Sequence, residues 1–141
     1  MMNLNVTLSN GFKLVPDNII SNMVTFQGSS RKALDFVFPE DSYTLDELKN
    51  LFTEANCETI TVDDVGIPGV DKQTSEYTGY VLFVGIRNER VEVSPGDEEH
   101  GPEYKSFNYV TMAKHTYQEN QIRTLQDSID HALLLVLNAV D

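Results

Sequence analysis

Residues 116–140 predict one long helix that the rest of the chain must either cover or present to another chain. Thr116 and Glu119 stand at capping-box spacing, at which each side chain satisfies a backbone N–H of the first turn. Ile122, Leu125, Ile129, Ala132, Val136 and Ala139 then recur at alternating steps of three and four, a stripe on one face. At 133–137 the run Leu-Leu-Leu-Val-Leu is apolar around nearly the whole circumference, and such a helix is buried on several sides. The stripe fits either of two uses, a face packed on the protein's own sheet or an intersubunit seam. Ile122, Leu125, Ile129, Leu133, Val136 and Leu137 are the candidate interface residues. Arg123 is the only formal positive charge on the helix, so the Glu–Lys pairs that decorate coiled-coil flanks are scarce.

A chain of 141 residues fits one α+β domain over 1–141, with 116–140 as its packing or oligomerisation helix. Lys and Arg number 10 against 22 acids, a formal net charge of -12. That balance repels phosphate backbones and anionic membranes, so neither nucleic acid nor membrane is an expected partner. The one cysteine, Cys57, admits no intramolecular disulfide, and a buried, inert thiol is the expectation for it. The first residues lack the basic and apolar regions of a signal peptide. No apolar run approaches the ~20 residues of a membrane span. The expected place of synthesis and folding is a reducing cytosol.

Residues 3–8 alternate, with Leu4, Val6 and Leu8 on one face, and Asn10-Gly11 then signals a hairpin into 12–15. A strand is expected at 23–27, ended by Gly28-Ser29-Ser30. Another is expected at 33–38, where Leu34, Phe36 and Phe38 share a face. These forty residues predict a small antiparallel unit. A second capping box, Thr44 and Glu47, opens a helix over 44–55 with Leu45, Leu48, Leu51 and Phe52 as its buried face and Tyr43 stapled onto Leu48. Strand 58–62 precedes a polar loop at 63–75. Residues 77–93 suit two strands or one bent strand, with a bulge at Gly85 or a turn at Asn88. A solvated loop at 94–102 and a strand at 104–113 lead to the last helix. The order predicts an α+β fold, a mostly antiparallel sheet with one short helix and a long C-terminal helix. That helix would either cover the open sheet or project and bundle with copies of itself.

Chemical constellations are few. Asp97, Glu98, Glu99 and His100 are consecutive and diverge, which suits a charged loop better than a Ca²⁺ site. Asp63, Asp64 and Asp71 around Gly66 and Gly69 lack the spacing of a Ca²⁺ loop, so loop chemistry explains them. His100, His115 and His131 are far apart, and His131 has Asp127 four residues before it, an i,i+4 polar pair. Gly28-Ser29-Ser30-Arg31 has the outline of an anion nest, but a short turn accounts for it. No nucleophile, zinc or phosphate-loop motif occurs. The expectation is a chain without catalytic residues, metal or cofactor.

The order of elements then carries a resemblance. It runs from a strand pair through Val24-Thr25-Phe26-Gln27-Gly28-Ser29-Ser30-Arg31-Lys32-Ala33-Leu34-Asp35-Phe36-Val37-Phe38 to the helix Leu45-Asp46-Glu47-Leu48-Lys49-Asn50-Leu51-Phe52. Cys57-Glu58-Thr59-Ile60-Thr61-Val62 follows, then the 80–93 strand, a polar loop and a strand. Thr116-Tyr117-Gln118-Glu119-Asn120-Gln121-Ile122 with Leu125 opens the last helix. Over nearly the whole chain this resembles small proteins encoded among the tail and baseplate genes of phages and prophages of Gram-positive gut bacteria. The resemblance implies a virion structural component of the tail tip or baseplate, present in several copies. Its implied partners are other virion proteins and further copies of itself. The resemblance further implies that the acidic loop 94–102 is a variable part of such chains, and it brings no catalytic residue. Two rival readings come from other classes. Net charge -12 suits an acidic inhibitor that imitates nucleic acid and blocks a host defence protein. A small hydrolase using Cys57 or an acid pair is the third.

Overall fold

The computed structural model describes residues 4–64 and 73–139, with side chains in the last helix up to Leu133. Its elements run β1 (Leu4–Thr7), β2 (Lys13–Leu14), β3 (Asn18–Phe26), β4 (Ser29–Pro39), α1 (Leu45–Leu51), β5 (Thr59–Asp64), β6 (Gln73–Thr78), β7 (Leu82–Ser94), β8 (Glu103–Ala113) and α2 (Tyr117–Ala139). The fold is α+β, as expected, but with two antiparallel sheets, ordered β2-β1-β5-β6 and β3-β4-β8-β7. The first forty residues therefore do not stay together. The β1–β2 hairpin joins the first sheet and the β3–β4 hairpin the second. Hairpin signals specify a pair, and the choice of sheet is made by pairing partners far along the chain, β5 for β1 and β8 for β4.

Strand period two explains the core. Leu4, Val6 and Leu14 with Ile60 and Val62 line one inner face, and Leu34, Phe36 and Phe38 with Val110 and Met112 line the other. All belong to one buried cluster. Leu48 and Phe52 of the α1 segment join it, with the Phe52 ring 5.1 Å from Phe36 and 6.1 Å from Phe38. The α1 capping box is present: the Glu47 N–H donates to Thr44 Oγ1 at 3.1 Å and the Thr44 N–H to Glu47 Oε1 at 3.2 Å. The helix ends earlier than expected, at Leu51, and Leu45 is about half exposed, so the buried side is narrower than four residues. Seven residues make only two turns, too few to carry a long stripe inward.

Two strands extend past their expected ends. β3 starts at Asn18, and β4 takes in Ser29 and Ser30 because the turn is confined to Gln27 and Gly28. Both turn residues have positive φ, 51° and 76°, the geometry of a tight hairpin that glycine favours at its second position. Asp63, Asp64 and Gln73–Ser75 pair as strand rather than loop, and 65–72, with Gly66, Gly69 and Asp71, lie outside the described residues. The 77–93 stretch is two strands joined through Gly79, with a register shift beside Gly85, while Asn88 pairs straight across to Asn108.

Candidate interaction surface

At the end of β8 the chain turns through Lys114 and His115 into α2, and one buried cation fixes the junction. Arg31 stands near the start of β4 and is 2% exposed. A guanidinium has five N–H donors in a planar fork, so it is buried only where acceptors match that plane. Nε donates to the Phe26 carbonyl at 2.9 Å and Nη1 to the Lys114 carbonyl at 3.2 Å. Both terminal nitrogens then clasp the Glu119 carboxylate, Nη1 to Oε1 and Nη2 to Oε2, the latter at 2.8 Å. Glu119 is also the acceptor of the expected capping box. It takes the Thr116 N–H at 2.8 Å, and its own N–H donates to Thr116 Oγ1 at 3.2 Å. These bonds, Arg31 first and the Thr116 amide second, hold the carboxyl well below its usual range, at about 2. Glu119 reciprocally raises the Arg31 guanidinium. One turn on, Arg123 reaches Glu54 at 3.4 Å on the surface.

Beyond that root the apolar stripe of the helix is exposed as far as its side chains are described, to Leu133. Ile122 is 62% exposed, Leu125 63%, Ile129 65% and Leu133 58%. From Tyr117 to Leu133 every residue except Glu119 is exposed. As far as Leu133 the helix therefore does not cover its own sheet; the inner faces of the two sheets share one buried cluster, which Leu48 and Phe52 of the α1 segment join. Val136 and Leu137 lie on α2 outside the described side chains. A contiguous apolar stripe in water is unusual for a folded chain, and burying each such side chain is worth about 1.5–3 kcal/mol. The other candidates disperse. Cys57 is fully buried, and burial pushes its thiol up to about 12, far from a reactive thiolate. Asp97 folds its own loop, accepting from the N–H groups of His100 at 2.7 Å and Glu99 at 2.9 Å, which lowers its carboxyl. Asp63 takes the Thr74 hydroxyl across the β5–β6 pair at 2.6 Å. His115 lies 3.7 Å from Glu119, at the helix root. A cleft beside that root is lined by Glu54, Glu58, Lys114 and Arg123. Among the described residues no group of three potential metal ligands converges.

One polar constellation had no forerunner in the sequence reading. Asp35 points away from the core between Leu34 and Phe36, yet is 1% exposed. It accepts from Thr111 Oγ1 at 2.5 Å, Asn22 Nδ2 at 2.8 Å and Arg87 Nη2 at 3.2 Å. Arg87 continues to Glu89 at 3.0 Å and lies over the Tyr109 ring. Asp35 stands on β4 and its three partners on β3, β8 and β7, so the network is a strap across the whole second sheet. An acid on the off-beat of an alternating strand was the available signal. Among the described residues no helix is long and apolar enough to cross a membrane. Comparison of the chain with family models, with curated proteins and with solved structures found no match.

Proposed function

We propose that the chain is a phage virion structural protein of the tail tip or baseplate, acting through protein–protein assembly rather than catalysis. The observation that carries the assembly reading is the exposed stripe Ile122, Leu125, Ile129 and Leu133 on a helix fastened, among the described residues, at its root. A projecting helix of this kind gains most by pairing its apolar face with another chain. The virion placement is supported by the likeness to small tail-region proteins carried by the order of elements from Val24 to Leu125. Its partners are other virion proteins and further copies of the chain, with no cofactor and no direct nucleic-acid contact. It would be made in the bacterial host cytoplasm and end in the particle.

The test is incorporation. Particles assembled with the wild-type chain should contain it in fixed stoichiometry, and particles assembled with Ile129→Asp should lack it. Particles that form normally and never contain the chain would remove this reading. The acidic-inhibitor reading would then be tested by salt-sensitive capture of a defined basic host nuclease.

A further inference from the structure

We infer that α2 pairs with α2 of a second copy in antiparallel orientation, so that each helix tip docks beside the other copy's root. This rests on the reading of α2 as an assembly surface and adds the occupant and its direction. Three observations on the same helix converge on it.

The first is size. In heptad terms Ile122, Ile129 and Val136 hold one seam position, and Leu125, Ala132 and Ala139 the other. A parallel pair stacks like on like, with bulky Ile–Ile layers and thin Ala–Ala layers that leave voids. An antiparallel pair sets Ile122 against Ala139, Leu125 against Val136 and Ile129 against Ala132. Every layer then combines a larger with a smaller side chain, the arrangement that fills a seam evenly.

The second is charge. Gln121, Gln126 and Ser128 flank the exposed part of the seam, and neither Asp127 nor Asp130 falls on it. A second copy therefore meets no like charge along the contact. Each chain has a net charge of -12, and the antiparallel pair holds the two acidic bodies at opposite ends of a helix about 35 Å long, several screening lengths apart.

The third is the apolar ring at 133–137, which exceeds what one seam can cover. In a parallel pair this ring lies at the far end from both bodies. In the antiparallel pair residue 137 comes level with Thr124 of the second copy, one residue from the Arg123 that touches the body at Glu54. The ring then has both a helix and a body to pack against.

Full-length chain should scatter light with twice the chain mass, and Ile129→Asp should halve that mass while the body's melting is unchanged. Orientation is read by oxidative cross-linking of cysteine variants at seam positions, with wild type, whose Cys57 is buried, as the unlinked control. A mixture of Ile122→Cys and Ala139→Cys should link between chains, whereas Ile122→Cys alone should not, its copies being about 26 Å apart. Self-linking of Ile122→Cys would overturn the antiparallel pair and leave the assembly reading standing. A single-chain mass at all concentrations would overturn self-pairing, and particle incorporation would then decide the assembly reading on its own.

Discussion

The two helices open on the same four-residue device and meet opposite fates. α1 starts at Thr44-x-x-Glu47 and buries Leu48 completely; α2 starts at Thr116-x-x-Glu119 and leaves Leu125 and Ile129 in water. Two closed hydrogen bonds at the first turn settle where a helix begins, and nothing in them bears on what its apolar face will meet. The difference lies in what the chain brings up alongside. Phe36 and Phe38 of β4 face α1, while along the described side chains of α2 the body offers a cation, Arg31, and a surface acid, Glu54.

Substitutions can break this contrast or sharpen it. The largest effect belongs to Leu48→Asp, which buries an unpaired carboxylate at a cost of several kcal/mol, comparable to the whole stability of a domain. The chain should be unfolded by circular dichroism, whereas Leu125→Asp should keep a cooperative thermal transition and lose association. Truncation gives a milder version. Leu48→Ala should lower unfolding free energy by about 2–5 kcal/mol in urea, against no more than about 0.5 kcal/mol for Leu125→Ala in the monomer. Equal losses at the two sites would show that α2 packs on its own body after all.

Acid should separate the helices next. The Glu119 carboxyl is lowered from an ordinary 4.5 to about 2, so its contribution is complete above about pH 4.5 and fades as pH falls toward 2. Amide exchange in the first turn of α2 should quicken across that window in the wild type, and Glu119→Gln should show the fast exchange already at pH 6. A first turn equally protected in Glu119→Gln would mean that Arg31 is not its anchor. The smallest effects are the caps themselves. Thr44→Ala and Thr116→Ala should each weaken their helix by about 1 kcal/mol. The first should appear in global unfolding and the second only in local exchange of α2.

What could be read from the chain follows the range of the interactions involved. The alternation of Leu34, Phe36 and Phe38, the two capping boxes, the bulge beside Gly85 and the turn around Gly28 are local patterns, and each marks structure that is present. Leu45 misled because a stripe drawn over 44–55 assumed three turns where α1 has two. The division into two sheets rests on β1 meeting β5 and β4 meeting β8, pairings with no local signal. The Arg31–Glu119 clasp joins residues 88 positions apart, and Arg31 looked like part of a turn. The stripe on α2 was plain as a stripe; whether a sheet lay beneath it depended on the inner faces of the two sheets sharing one buried cluster.

The clasp at the root has a geometric consequence. A rod about 35 Å long that is held at one end magnifies angular error, and a tilt of about 10° at the base displaces the tip by about 6 Å, more than a full helical turn of register. A single flexible contact such as Arg123 on Glu54 would leave the rod's direction loose. Arg31 offers instead a flat fork, immobilised by the Phe26 and Lys114 carbonyls, that accepts the Glu119 carboxylate only in its own plane. Its buried side chain thus acts as a gunsight, setting where the far end of the helix points before any partner arrives.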